Sequence, residues 1–177
     1  MGLYPILYLE LGQYGLPCCF ANEMPNGTTN SEKDYLGFAR HGVDDKRRLQ
    51  IPARWRPDEA EFELTMLIWT AHEAGPCLRV LPPLQMRDLR EKITGMSGAD
   101  PAKEELLHFI GVNSERVPVD KSGRVCLPER MAQAAGITTE ASLVGLINKF
   151  EIWNPERYAN HLEKFGAIRR EFFNVIK

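Results

Sequence analysis

The chain has 177 residues, 44% hydrophobic and 26% charged, with a formal net charge of −2. That length and apolar content suit one packed domain or two small ones. The near-neutral balance excludes a polycation that holds nucleic acid by bulk charge, but not a chain that concentrates charge locally.

The N-terminus, MGLYPILYLELGQYGLPCCF, is apolar but lacks a basic leading segment and contains Glu10, so it does not read as a signal peptide. Residues 25–34, PNGTTNSEKD, read as disordered, and Met24 just before them is a candidate alternative start of translation. Residues 1–35 are therefore expected to form an N-terminal extension. No stretch of the chain reaches the roughly 18 apolar residues of a membrane span.

A short segment is then written twice. Residues 40–54 read RHGVDDKRRLQIPAR and residues 116–130 read RVPVDKSGRVCLPER. At an offset of 76, six of the fifteen positions are identical: Arg40/Arg116, Val43/Val119, Asp44/Asp120, Arg48/Arg124, Pro52/Pro128 and Arg54/Arg130. Self-similarity at a fixed spacing marks a tandem supersecondary unit. After each proline an apolar run follows, Phe62 to Trp69 in the first copy and Leu143 to Ile147 in the second. A second strand comes next, CLRVLP at 77–82 and FEIWNP at 150–155, now aligned at an offset of 73. The three-residue difference falls in the connecting loop, long around Gly75-Pro76 and a tight hairpin turn around Asn148-Lys149.

Each unit thus predicts a charged loop, a strand, a short helical turn, a hairpin and a helix. In LQMRDLREKI, Met86, Leu89 and Ile93 share a face. Asp100-Pro101 opens a helix for which Gly111 is the expected stop. Asn154-Pro155-Glu156 opens another, which Gly166 can end. The organisation expected is a first repeat over 36–98, a bridging helix over 99–111, a second repeat over 112–166 and a tail over 167–177.

The chemistry sits in the repeated loop. An aspartate at its start can accept backbone N–H bonds and hold a guanidinium four residues on. The arginine is a rigid fork suited to phosphate or to guanine edges. Gly123 permits positive φ in the second loop. The pair could equally be an intramolecular salt bridge closing a barrel. Residues 40–56 hold six cations (Arg40, Lys46, Arg47, Arg48, Arg54 and Arg56) against two acids, more than one bridge needs, which favours binding.

Enzyme signals are lacking. His41, His72, His108 and His161 lie in different segments without a shared spacing, and no Ser/His/Asp motif, phosphate loop or dinucleotide fingerprint is present. Cys18, Cys19, Cys77 and Cys126 form no C-x-x-C pair and no Cys/His spacing suited to zinc, and read as small apolar residues of a reduced cytosolic protein. Neither metal nor cofactor is expected. Trp55, Trp69 and Trp153 read as core or interface rather than base-stacking platforms.

Four segments, VDDKRRLQIPARWR (43–56), CLRVLPPLQMRDLREKI (77–93), VDKSGRVCLPERMAQAAGI (119–137) and LVGLINKFEIWNPERY (143–158), resemble the MraZ family of the AbrB/SpoVT superfamily over about residues 36–165. The resemblance implies an α+β, mainly β fold: a tandem AbrB-like, swapped-hairpin, double-psi-like barrel with peripheral helices. It implies a ring-shaped homo-oligomer, cytoplasmic and nucleoid-associated. It also implies a repressor that binds direct repeats of double-stranded DNA in its own promoter, ahead of the division and cell-wall gene cluster. Carried onto this chain, it makes Arg48 and Arg124 the DNA contacts and Lys46, Arg47 and Lys121 auxiliary phosphate contacts. Asp44 and Asp120 shape the loops. The chain departs from the family where Arg47 replaces the usual glycine, and Arg47 carries steric strain if that position needs positive φ. A structural or protein-binding ring is the alternative; a single-repeat antitoxin fits poorly with the duplication.

Overall fold

The computed structural model describes residues 33–56 and 62–164. Met24, Cys18, Cys19, Gly166, the tail over 167–177 and residues 25–32 of the expected disordered stretch lie outside the described residues.

Among the described residues, eight strands and four helices make an α+β, mainly β fold. The first copy supplies β1 (Phe38–Gly42), β2 (Arg48–Gln50), a 3-10 turn (Ala53–Trp55), β3 (Phe62–Trp69), β4 (Cys77–Leu81) and α1 (Pro83–Thr94). After α2 (Pro101–Asn113), the second supplies β5 (Ser114–Val119), β6 (Arg124–Cys126), α3 (Glu129–Ala135), β7 (Glu140–Gly145) and β8 (Phe150–Trp153). Residues 155–164 form α4.

The strands run in one antiparallel sheet, in the order β1-β7-β8-β4-β3-β5-β6-β2. A bridge between Val43 and Leu49 brings β2 back beside β1, so the sheet closes into a nearly complete barrel. Exchanging the copies (β1 for β5, β2 for β6, β3 for β7, β4 for β8) maps this order onto itself. The halves interlock, because β1 pairs with β7 and β5 with β3. Two pairs lie on the pseudo-twofold axis. In β2·β6, Arg48 faces Cys126 and Gln50 faces Arg124. In β4·β8, Arg79 faces Glu151.

The apolar faces of these strands fill the barrel. Leu49, Val125, Leu127, Leu78, Phe150 and Ile152 are completely buried, each side chain contributing about 1.5–3 kcal/mol by leaving water. Trp55 lies 5.2 Å from Phe150, ring centre to ring centre, and Tyr35 packs 5.3 Å from the same ring. Trp55 and Trp153 are core residues, as expected. Burial raises the Tyr35 phenol to about 12.

The helix starts follow the caps. Asp100 accepts a bond from the Ala102 N–H at 3.0 Å. Asn154 accepts from the N–H groups of Glu156 and Arg157 at 2.9 and 3.0 Å, and its amide donates to the Gly136 carbonyl at 2.7 Å. Gly136, at φ 66°, closes α3 in the left-handed conformation.

Two expectations require correction. Gly111 does not stop α2, which runs to Asn113 and passes directly into β5. Helical backbone tolerates glycine there at a cost of about 1 kcal/mol, and the Asn113 amide donates to the Phe109 carbonyl at 2.9 Å to finish the helix. The strand placed at Leu143–Ile147 lies instead at Glu140–Gly145. Ile147 adopts φ 68°, incompatible with a strand, and belongs to the turn in which the Leu146 N–H donates to the Lys149 carbonyl at 2.8 Å. Among the described residues, no helix is long and apolar enough to cross a membrane.

Candidate nucleic-acid interface

The two charged loops fold alike, bond for bond. In the first, the Asp44 Oδ1 accepts from the N–H groups of Lys46 and Arg48 at 3.0 and 2.8 Å, while Oδ2 accepts from Arg48 Nε at 2.7 Å. In the second, the Asp120 Oδ1 accepts from Ser122 and Arg124 at 2.8 and 2.9 Å, and Oδ2 accepts from Arg124 Nε at 2.9 Å. Backbone bonds tighten both turns: Arg47 N–H to the Asp44 carbonyl and Gly123 N–H to the Asp120 carbonyl, each at 2.7 Å. The bonds from the backbone N–H groups of Arg48 and Arg124, then their guanidinium groups, hold the two carboxyls below the ordinary aspartate range. The aspartates thus both shape the loops and grip the arginines through Nε alone, which leaves each guanidinium's outer N–H groups available.

Strand alternation fixes where the arginines point. Leu49 and Val125 face the core and are fully buried. Their neighbours Arg48, Gln50, Arg124 and Cys126 therefore share the outer face of the β2·β6 ribbon. Arg48 faces Cys126, which makes Arg124 its diagonal neighbour, with Cα atoms about 7–8 Å apart. The side chains of Arg48 and Arg124 are 37% and 34% exposed. One ribbon thus displays two clamped, half-exposed guanidinium groups, one at each end.

Lys46 and Lys121 are exposed on the loop tips. Arg47 behaves differently. It adopts φ 58°, and its Nε turns back to donate to the Leu127 carbonyl at 3.2 Å, with an Nη 3.9 Å from Glu129. In the other half, the matching carbonyl is that of Ile51, and Arg56 Nε donates to it at 2.8 Å. Arg56 reaches it by lying across Gly123, in the space that a Cβ there would occupy. Each half thus caps the same carbonyl with an arginine drawn from a different position. Gln50 crosses the ribbon to the carbonyls of Ser122 and Gly123 at 3.0 and 2.8 Å, and Cys126 Sγ to that of Lys46 at 3.3 Å. Arg40 is neutralised by Glu140 at 2.7 Å, and Arg54 leans on the Trp55 ring at 5.7 Å.

Sequence reasoning missed a second polar cluster, across the barrel at β4·β8. Arg79 donates to Glu151 Oε1 through Nε and Nη2 at 3.0 and 2.7 Å, and Trp153 Nε1 donates to Oε2 at 3.0 Å. The guanidinium stacks 3.7 Å above the Trp69 ring. His72 Nε2 stands 3.4 Å from Glu151 Oε1, and the His161 ring lies 4.7 Å from that of His72. Two histidines from unrelated segments therefore meet. The available signal was the single charge interrupting each apolar strand, CLRVL and FEIW.

Comparison with known proteins follows the same lines. The family profile described as "MraZ protein, putative antitoxin-like" matches residues 112–174. The "Transcriptional regulator MraZ" of Thermomicrobium roseum is 34% identical over 134 residues, 75% of this chain and 90% of that protein. Those of Idiomarina loihiensis and Tolumonas auensis are 28% and 30% identical, over 77% and 69% of this chain and 90% and 80% of theirs. With identity of that level across nearly the whole of a relative, and with the duplicated loop and interlocked barrel in place, the chain belongs to the MraZ family.

Proposed function

We propose that this protein is a sequence-specific, DNA-binding transcriptional regulator whose β2·β6 ribbon enters the major groove. The observation that carries the reading is the pair of aspartate-clamped arginines, Arg48 and Arg124, on one outward ribbon face. The major groove is about 12 Å wide and admits a two-stranded ribbon. Guanidinium groups spaced by a ribbon's diagonal fit within it, and arginine pairs in bidentate fashion with guanine. Lys46 and Lys121 supply phosphate contacts, which give affinity and register rather than sequence choice. Arg47 contributes there only with the part of its guanidinium not engaged at Leu127. The relatives' shared name, transcriptional regulator, supports the same activity.

The finer reading rests on the family resemblance. The protein represses its own promoter and the division and cell-wall genes behind it, acting on direct repeats from the nucleoid as a ring of identical chains. Repeated DNA boxes then meet repeated ribbons, raising avidity through effective concentration. Exposed Leu36, Phe38, Leu146 and Ile147 supply apolar surface for such assembly. That surface also supports the second reading, a structural ring without operator recognition.

The test is a fluorescence-anisotropy titration at several salt concentrations, with DNA from upstream of the gene against a scrambled duplex. Preferential binding is expected, with Arg48→Ala and Arg124→Ala each weakening it and lowering the salt slope by about one if a phosphate contact is lost. Unchanged affinity in both variants defeats the ribbon assignment; a well-folded oligomer that binds neither duplex favours the structural ring.

A further inference from the structure

We propose that His72, Cys77 and Glu151 form a metal site of the zinc class. Among the described residues, this is the cluster in which an imidazole nitrogen, a thiol sulfur and a carboxylate oxygen all lie within 4.8 Å of one another. Thiolate, imidazole and carboxylate together are a donor set suited to Zn2+, with Zn–S of about 2.3 Å and Zn–N of about 2.0 Å, so a modest inward movement closes them on one ion. Water takes the fourth position.

Three features prepare the site. First, the loop between β3 and β4 is the one that is three residues longer than its counterpart, and it folds His72 back over β8, 3.4 Å from Glu151. Secondly, Glu151 is already oriented. Arg79 donates to one of its oxygens and Trp153 to the other, and such hydrogen bonds orient a ligating carboxylate. Thirdly, Cys77 is fully buried, two residues before Arg79 on the same face of β4 and so diagonal to Glu151, with its sulfur within 4.8 Å of a Glu151 carboxylate oxygen. On binding, the Sγ–H bond breaks, the sulfur's electron pair goes to the metal and the proton leaves to solvent. The ion then carries +2 against one thiolate and one carboxylate, with Arg79 keeping its place on the Trp69 face.

The ion would pin the long β3–β4 loop to β8. The site lies on the β4·β8 pair, across the strand order from the β2·β6 ribbon, and its existence is independent of DNA binding.

The experiment uses the reduced, full-length protein, stripped with chelator and titrated with Co2+. A stoichiometric thiolate-to-cobalt charge-transfer band and tetrahedral visible bands are expected, both displaced by Zn2+. The triple variant Cys18→Ser/Cys19→Ser/Cys126→Ser is expected to keep them. His72→Ala, in the β3–β4 loop and outside the strands, is expected to weaken Co2+ roughly tenfold or more with an unchanged circular-dichroism spectrum. Absence of the charge-transfer band in the wild-type protein, its loss in the triple variant, or wild-type affinity in His72→Ala would overturn the proposal. Operator binding, measured separately, is expected to be the same in His72→Ala and wild type.

Discussion

Arg47 and Gly123 stand at the same point of the two charged loops, and both hold positive φ, 58° and 75°. The turn demands this backbone whatever residue fills it, because the same aspartate accepts the same N–H groups in both halves. A side chain in the left-handed region costs about 1–2 kcal/mol relative to glycine, and Arg47 recovers part of that through its bond to the Leu127 carbonyl. Arg47→Gly and Arg47→Ala both lose the bond, but only the alanine keeps the strain. Urea denaturation is expected to find Arg47→Gly more stable than Arg47→Ala by about 1 kcal/mol. Equal stabilities would show that the loop relaxes away from positive φ.

Gly123→Ala meets a further obstacle. Its Cβ would overlap the Arg56 side chain, in addition to the φ penalty. A loss of about 2 kcal/mol or more is expected. The double variant Gly123→Ala/Arg56→Ala, which removes the overlap, is expected to be less destabilised than the sum of the singles. Simple additivity in a double-mutant cycle would argue against that contact.

The loops also set an acid limit. Asp44 and Asp120 have folded pKa values below the ordinary 3.8. Their contribution to loop order is therefore fully present above that value and is lost as pH falls through the lower folded values. Loop geometry and operator affinity are expected to be flat, as far as these two groups are concerned, from neutral pH down to about 4. In an NMR acid titration, the amide signals of Lys46, Ser122, Arg48 and Arg124, which donate to these carboxylates, should shift together below pH 4. A midpoint above 4 would contradict the aspartate assignment.

Removing Arg79 strips the main partner from a carboxylate whose side chain is only 5% exposed. Arg79→Leu is expected to cost about 3–5 kcal/mol by chemical denaturation, since the remaining buried charge is then poorly compensated. Arg40→Leu breaks a pair whose side chains are 54% and 44% exposed and is expected to cost about 1 kcal/mol or less. Similar losses in the two would mean that burial does not govern these pairs.

The sequence carried what is local. The Asp-x-x-x-Arg loops were legible because their bonds span four residues, and the helix starts at Asp100 and Asn154 because a cap needs only its own first turn. The resemblance supplied the interlocked barrel, which no local pattern contains. The β4·β8 cluster stayed hidden, because Arg79 and Glu151 are 72 positions apart and their nearness depends on the register of two apolar strands. Arg47's inward turn was equally hidden, since its acceptor lies 80 residues away. Gly111 misled because a glycine ends a helix only where the chain must turn, and α2 instead runs straight on into β5.

The pseudo-twofold axis lies within one polypeptide, and this changes what a single codon change does. In a homodimer of one-loop chains, every substitution would appear in both arginine loops at once. Here each loop is inherited separately, so one half can take an arginine at position 47 while the other keeps glycine at 123. The two halves of the ribbon can therefore drift apart independently, and under the proposed DNA-binding role a symmetric scaffold is free to prefer an asymmetric target.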